Sequence, residues 1–205
     1  MVPHLAINGG QASKGSTQLS PSPGRSRILI AYIGFGCRVL LAVVFFAAAV
    51  SKVRGRRDRA EFRASLGAFG VKPRWRSAVA AAVIMCELAT AALLAVDVTA
   101  LAGLGVGAAL LIVFTMAISS VLRQGTSASC RCFGASTQPL GRRHLVRNAI
   151  LLSIAAAGVA GASPTTALGV AGWNPAALLV SGFVAVVLAA LVISYDDLVA
   201  VVLPR

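Results

Sequence analysis

Residues 98–122 read VTALAGLGVGAALLIVFTMAISSVL, a stretch with no charged side chain. A helix needs about 20 apolar residues to cross the hydrocarbon core of a bilayer, so this stretch predicts a membrane span. On its N-terminal side, residues 77–96 form a second apolar run, separated from the first only by Asp97 and its neighbours. Two spans with so short a connection must form a tight antiparallel hairpin. Similar runs occupy residues 28–50, 145–161 and 175–194, the last extending further if Asp196 and Asp197 lie near the headgroups. Ala, Gly and Ser are abundant throughout, as close helix packing in lipid requires.

Composition agrees. The chain has 205 residues, 58% of them hydrophobic, a mean hydropathy of +0.85 and six acidic side chains, which is too apolar a surface for a water-soluble domain of this size. The expected fold is therefore all-α: a polytopic integral membrane bundle of four core transmembrane helices plus a fifth. The expected location is the plasma membrane, as a multi-pass protein. A net charge of +13 raises the question of nucleic acid, but the basic residues lie between the apolar runs, where anionic lipid headgroups are the natural partner. Membrane lipid is the expected contact, and nucleic acid is not.

Three regions are expected. Residues 1–27, dominated by Gly, Ser, Pro and Gln, read as a disordered tail; residues 28–161 hold the four-helix domain with a loop at 123–144; residues 162–205 supply a linker and the additional span. Ala47-Ala48-Ala49 resembles a signal-peptide cleavage site, but the preceding run is too long for a signal core and contains Arg38, which favours an uncleaved first span. Lys and Arg number three in the tail, nine in residues 51–76 and four in residues 123–144; the second and fourth connections have none, and Arg205 ends the chain. With five spans, the positive-inside rule places the N-terminus outside and the 51–76 and 123–144 loops in the cytoplasm.

The loop at 123–144 contains Cys130-Arg131-Cys132-Phe133-Gly134. Two thiols one residue apart can close a small strained disulfide, and strained disulfides have more oxidising potentials. Arg131, with Arg142 and Arg143 nearby, favours the reactive thiolate. Cys130 and Cys132 are the candidate redox pair. A metal site competes, with His144 as a third ligand, but the loop offers no fourth, so no metal is expected. Cys37 and Cys86 lie inside spans and read as small hydrophobes.

Arg38 and Glu87 lie within the first and second spans. Counted from their shared loop they reach similar depths, so an ion pair between them is expected. Such a pair either holds two helices in register or serves a proton relay or quinone site; a quinone is the one cofactor this leaves open. Lys52 at the end of the first span reads as snorkelling to the interface. Arg147 and Asn148 open the fourth span, where Asn148 should hydrogen-bond within the bundle. The segment 54–63 reads as a basic amphipathic piece on the membrane surface or as a solvated orientation signal.

In chain order, Arg38, Ser51-Lys52, a basic loop with Phe62 and Pro73, Glu87, Cys-x-Cys-Phe-Gly and the Leu-x-Arg-Asn entry at Leu145 to Asn148 resemble the methylamine utilisation protein E (MauE) family, related to DoxX-like membrane proteins. The resemblance spans Arg38 to about Leu152. Arg131 stands where the family usually has Gly, and the tail and fifth run are additions. The resemblance implies a role in methylamine metabolism: maturation or transport of the disulfide-rich small subunit of methylamine dehydrogenase, beside a thioredoxin-like redox protein. It implies an accessory in thiol–disulfide exchange rather than a stand-alone enzyme. Maturation of an exported enzyme belongs outside the cytoplasm, whereas the charge count places the Cys loop inside. Either a cytoplasmic dithiol passes electrons across, or four spans or an inverted insertion move the loop out. A DoxX-like transport or quinone-linked subunit without thiol chemistry is the alternative.

Overall fold

The computed structural model describes residues 23–124, 142–161 and 174–202, with side chains described over 28–124, 143–161 and 174–195. The candidate pair Cys130 and Cys132, with Arg131 between them, lies outside the described residues. Helix α1 (Pro23–Val53) is followed by a short helix α2 (Arg56–Ser65) and two 3₁₀ turns, Leu66–Phe69 and Pro73–Trp75. Then come α3 (Arg76–Ala95), α4 (Ala100–Arg123), α5 (Arg142–Gly161) and α6 (Pro175–Val202). Among the described residues, five helical stretches are long and apolar enough to cross a bilayer: Ile28–Val53, Pro73–Ala95, Asp97–Arg123, Arg143–Gly161 and Pro175–Tyr195. The all-α, multi-pass architecture expected from hydropathy is the one observed.

Helices α1, α3, α4 and α5 form the core bundle, each antiparallel to its neighbours, with α4 diagonal to α1. The α3–α4 hairpin turns at Val96, whose extended backbone breaks the helix, and a 3₁₀ turn at Asp97–Thr99. The Thr99 hydroxyl donates to the Leu93 carbonyl at 2.8 Å, satisfying one of the orphan acceptors at the end of α3. Glycines let the helices touch. A Cβ on Gly161 would stand 2.7 Å from Gly34 Cα where α5 crosses α1, and one on Gly103 would stand 2.9 Å from the Leu94 backbone nitrogen where α4 meets α3. Close backbone approach substitutes, in lipid, for the hydrophobic drive available in water. Leu41, Phe45, Leu94, Leu104, Leu111 and Leu151 fill the centre.

Helix α6 lies outside this square. It runs in the same direction as α1, against which Ser181 donates to the Tyr32 carbonyl at 3.0 Å and Ala185 and Ala189 are buried. Its other face, with Leu179 and Phe183, is exposed, as a lipid-facing helix requires.

The segment between α1 and α3 packs against α3. Phe62 of α2 and Leu66 pack onto Ala80, Val79 and Val83 of α3. Gly70, at φ 78°, ends the Leu66–Phe69 turn in the left-handed conformation, with the Val71 amide donating to the Leu66 carbonyl. That turn folds the segment back along the first turns of α3, so α3 begins beyond the end of α1 rather than level with it.

Candidate functional site

Helix α1 presents two cations to α3, and the structure pairs them in a way that corrects the expected Arg38–Glu87 contact. Lys52 Nζ donates to Glu87 Oε1 at 2.7 Å and Oε2 at 3.0 Å, while Arg38 pairs with Asp97. The reason is register. The depth count assumed that α1 and α3 start from one level, but the folded-back segment brings Glu87 opposite the last turns of α1. Arg38 precedes Lys52 by 14 residues, about 21 Å along the axis, and so sits beside the far end of α3.

Lys52 does not snorkel outward; it is 2% exposed. Helical side chains lean toward the N-terminus, so a lysine in the last turn of α1 points back into the bundle. Its ammonium also donates to the Ala48 carbonyl at 3.1 Å and lies 5.4 Å from the centre of the Phe62 ring. Glu87 has no exposed surface.

On the other side of the bundle, the Asn148 amide donates to Thr115 Oγ1 at 3.3 Å, joining α5 to α4. Asn148 is fully buried, and its Oδ1 finds no donor among the described residues. Arg147 is buried beside it, within electrostatic reach of Lys52, and His144 is buried one turn earlier. All four core helices therefore contribute to one polar layer: Lys52 from α1, Glu87 from α3, Thr115 from α4, and Arg147 with Asn148 from α5. The layer lies toward the end of the bundle where α1 and α4 finish and α5 begins, which is the end bearing the Cys-containing connection.

Arg38 belongs to the opposite end. Its pair is partly open, with side-chain exposures of 16% for Arg38 and 58% for Asp97, and its guanidinium lies 5.5 Å from the Phe35 ring. Cys37 is half-buried and Cys86 is exposed on the outer side of α3. Among the described residues, no three His, Cys, Asp or Glu side chains come together as a metal-binding group.

Sequence reasoning missed Phe62, Thr115 and Asp97 as partners. For Asp97 a signal existed in its position, since an acid at a hairpin between two spans is placed to meet a cation on a neighbouring helix; Phe62 was marked only by the resemblance, which did not name its partner.

These features define a class: a multi-pass helical membrane protein whose four core helices share a buried, ion-paired polar layer toward the end of the bundle where α4 finishes and α5 begins. Residues 30–161 match the family Methylamine utilisation protein MauE, and the chain belongs to that family. It is similar to Methylamine utilization protein MauE of Paracoccus denitrificans, 37% identical over 123 residues, which cover 58% of this chain and 64% of that protein. The match thus spans less than two thirds of that relative. No solved structure matches. The family region takes in α1 from residue 30 onward, α2–α5 and the whole polar layer, and leaves α6 outside.

Proposed function

We propose that this protein serves methylamine utilisation as a membrane scaffold for thiol–disulfide exchange at Cys130 and Cys132. The observation that supports this reading is the anchoring of α4 and α5. The two helices that deliver the Cys-containing connection are tied by the Asn148–Thr115 bond within a buried polar layer at that same end. A reactive loop gains from rigid supports, since positioning lowers the cost of meeting a partner.

In the exchange, one of the two thiolates attacks a sulfur of a partner's disulfide. A mixed disulfide forms and the partner releases one thiolate, which takes a proton from water. The second cysteine of the pair then attacks the mixed disulfide, closing the Cys130–Cys132 bond and releasing the partner's other thiol. Two electrons have passed to the partner, and the two protons lost by the pair balance those gained. The reverse sequence oxidises a dithiol client. A thioredoxin-like protein and a disulfide-rich client, such as the small subunit of methylamine dehydrogenase, are the partners this reading names.

Labelling with a membrane-impermeant maleimide, on intact and opened cells, tests it. Labelling of the pair should follow redox state, and Cys130→Ser should abolish support of growth on methylamine. Growth unchanged in a Cys130→Ser/Cys132→Ser variant overturns it. The second reading, a transport or quinone-linked subunit, is favoured by the buried Lys52–Glu87 pair. It predicts that Glu87→Gln stops growth while the thiols are dispensable.

A further inference from the structure

Apart from the buried Arg147 guanidinium within electrostatic reach, the groups around Lys52 Nζ are those of a receptor for a primary amine. An ammonium group has three N–H donors, and its partners here include Glu87 Oε1 at 2.7 Å, Glu87 Oε2 at 3.0 Å and the Ala48 carbonyl at 3.1 Å. An aromatic face adds to the enclosure, the Phe62 ring centre lying 5.4 Å from the nitrogen, a distance at which the ring quadrupole attracts a cation. The carboxylate and the ammonium are both withdrawn from solvent, with side-chain exposures of 0% and 1%. Carboxylate, carbonyl and aromatic face are the groups that recognise a small alkylammonium ion, and each comes from a different element: α3, α1 and α2.

We infer that Glu87, the Ala48 carbonyl and Phe62 form a binding site for a short, unbranched primary alkylammonium, with the Lys52 side chain as its tethered occupant. This inference stands apart from the thiol exchange and does not depend on it. A planar guanidinium does not match three converging acceptors, and a quaternary ammonium has no N–H to offer them. In the wild-type chain the tether holds the local amine concentration far above that of any free amine, so the site is filled from within. Removing the side chain beyond Cβ empties a volume shaped for propylammonium, because Lys→Ala deletes three methylene groups and the ammonium. Methylammonium, the smallest member of the class, satisfies the acceptors but leaves the methylene track unfilled.

Thermal unfolding of the purified full-length chain in lipid nanodiscs tests this, using methyl-, ethyl-, propyl- and tetramethylammonium chlorides at constant ionic strength. Lys52→Ala should melt below the parent, and propylammonium should recover more than about half of the lost melting temperature, following the linkage between binding and stability. Ethyl- and methylammonium should recover progressively less, and tetramethylammonium none. The parent, whose site is occupied, and Lys52→Ala/Glu87→Gln, which lacks the carboxylate, should shift by less than about 1 °C. Lys52→Ala/Phe62→Leu should still respond, but at several-fold higher amine. Equal responses of Lys52→Ala and Lys52→Ala/Glu87→Gln overturn the inference. So does a Lys52→Ala chain that fails to fold in every amine, because an intact receptor would have been refilled.

Discussion

The two ends of the α1–α3 pair hold the same kind of contact in different surroundings. At one end Lys52 and Glu87 are sealed between helices; at the other, Arg38 and Asp97 meet where the α3–α4 hairpin opens outward. The first pair staples α1 to α3, and the second ties α1 to the turn that follows α3. They differ in what each charge loses when its partner is removed. An exposed carboxylate returns to water or headgroups at little cost, whereas a buried one has no other solvent, and breaking a buried pair costs about 3–5 kcal/mol. Burial, and not the ion pair as such, makes the Lys52 end the critical one.

The largest expected effect tests that asymmetry directly. Glu87→Ala leaves the Lys52 ammonium buried without its carboxylate and should lower stability by about 3–5 kcal/mol. For a chain of this size the loss reads as a drop of roughly 10 °C in melting temperature. The double variant Lys52→Met/Glu87→Leu removes both charges and fills their volume, so it should recover to within about 1–2 kcal/mol of the parent. A double variant as unstable as the single one would show that the hydrogen bonds to Ala48 and the Phe62 contact, rather than the uncompensated charge, set the cost.

Next in size is a change that alters the helix contact without touching either pair. Gly161→Leu places a side chain where even a Cβ lies 2.7 Å from Gly34 Cα, so α1 and α5 must separate, at about 1–3 kcal/mol. At the open end, Asp97→Asn should cost less than about 1 kcal/mol, and the difference should shrink in high salt. If Asp97→Asn proved as damaging as Glu87→Ala, the distinction between the two ends would fail. The smallest effect belongs to the exposed Arg57–Glu61 pair on α2, 2.8 Å apart and one helical turn along. Arg57→Gln should leave the melting temperature essentially unchanged, because water and salt screen a surface pair of this spacing.

Much of the architecture was legible in the residues. Hydropathy located the five long helices to within a few residues, because a bilayer imposes a length and an apolarity that no soluble context demands. Asp97 between two apolar runs announced the hairpin, and the small residues announced close packing. The site was legible only in its ingredients. Glu87, Lys52, Arg147 and Asn148 stand out as polar groups in or beside apolar runs, and the structure draws them into one layer. Thr115 gave no such signal, since a threonine in a span is commonplace, and Phe62 stood out only through the family resemblance, not as a partner of Lys52.

The sequence by itself determined the class of protein, the number and extents of its long apolar helices and the identity of its intramembrane charges. Which charge meets which was decided only by the tertiary fold. Partner choice depends on the axial register of α1 against α3, and that register is set by α2 and the Gly70 turn folding back along α3. Hydropathy reports how long a helix is, but it contains no term for where one helix stops relative to its neighbour.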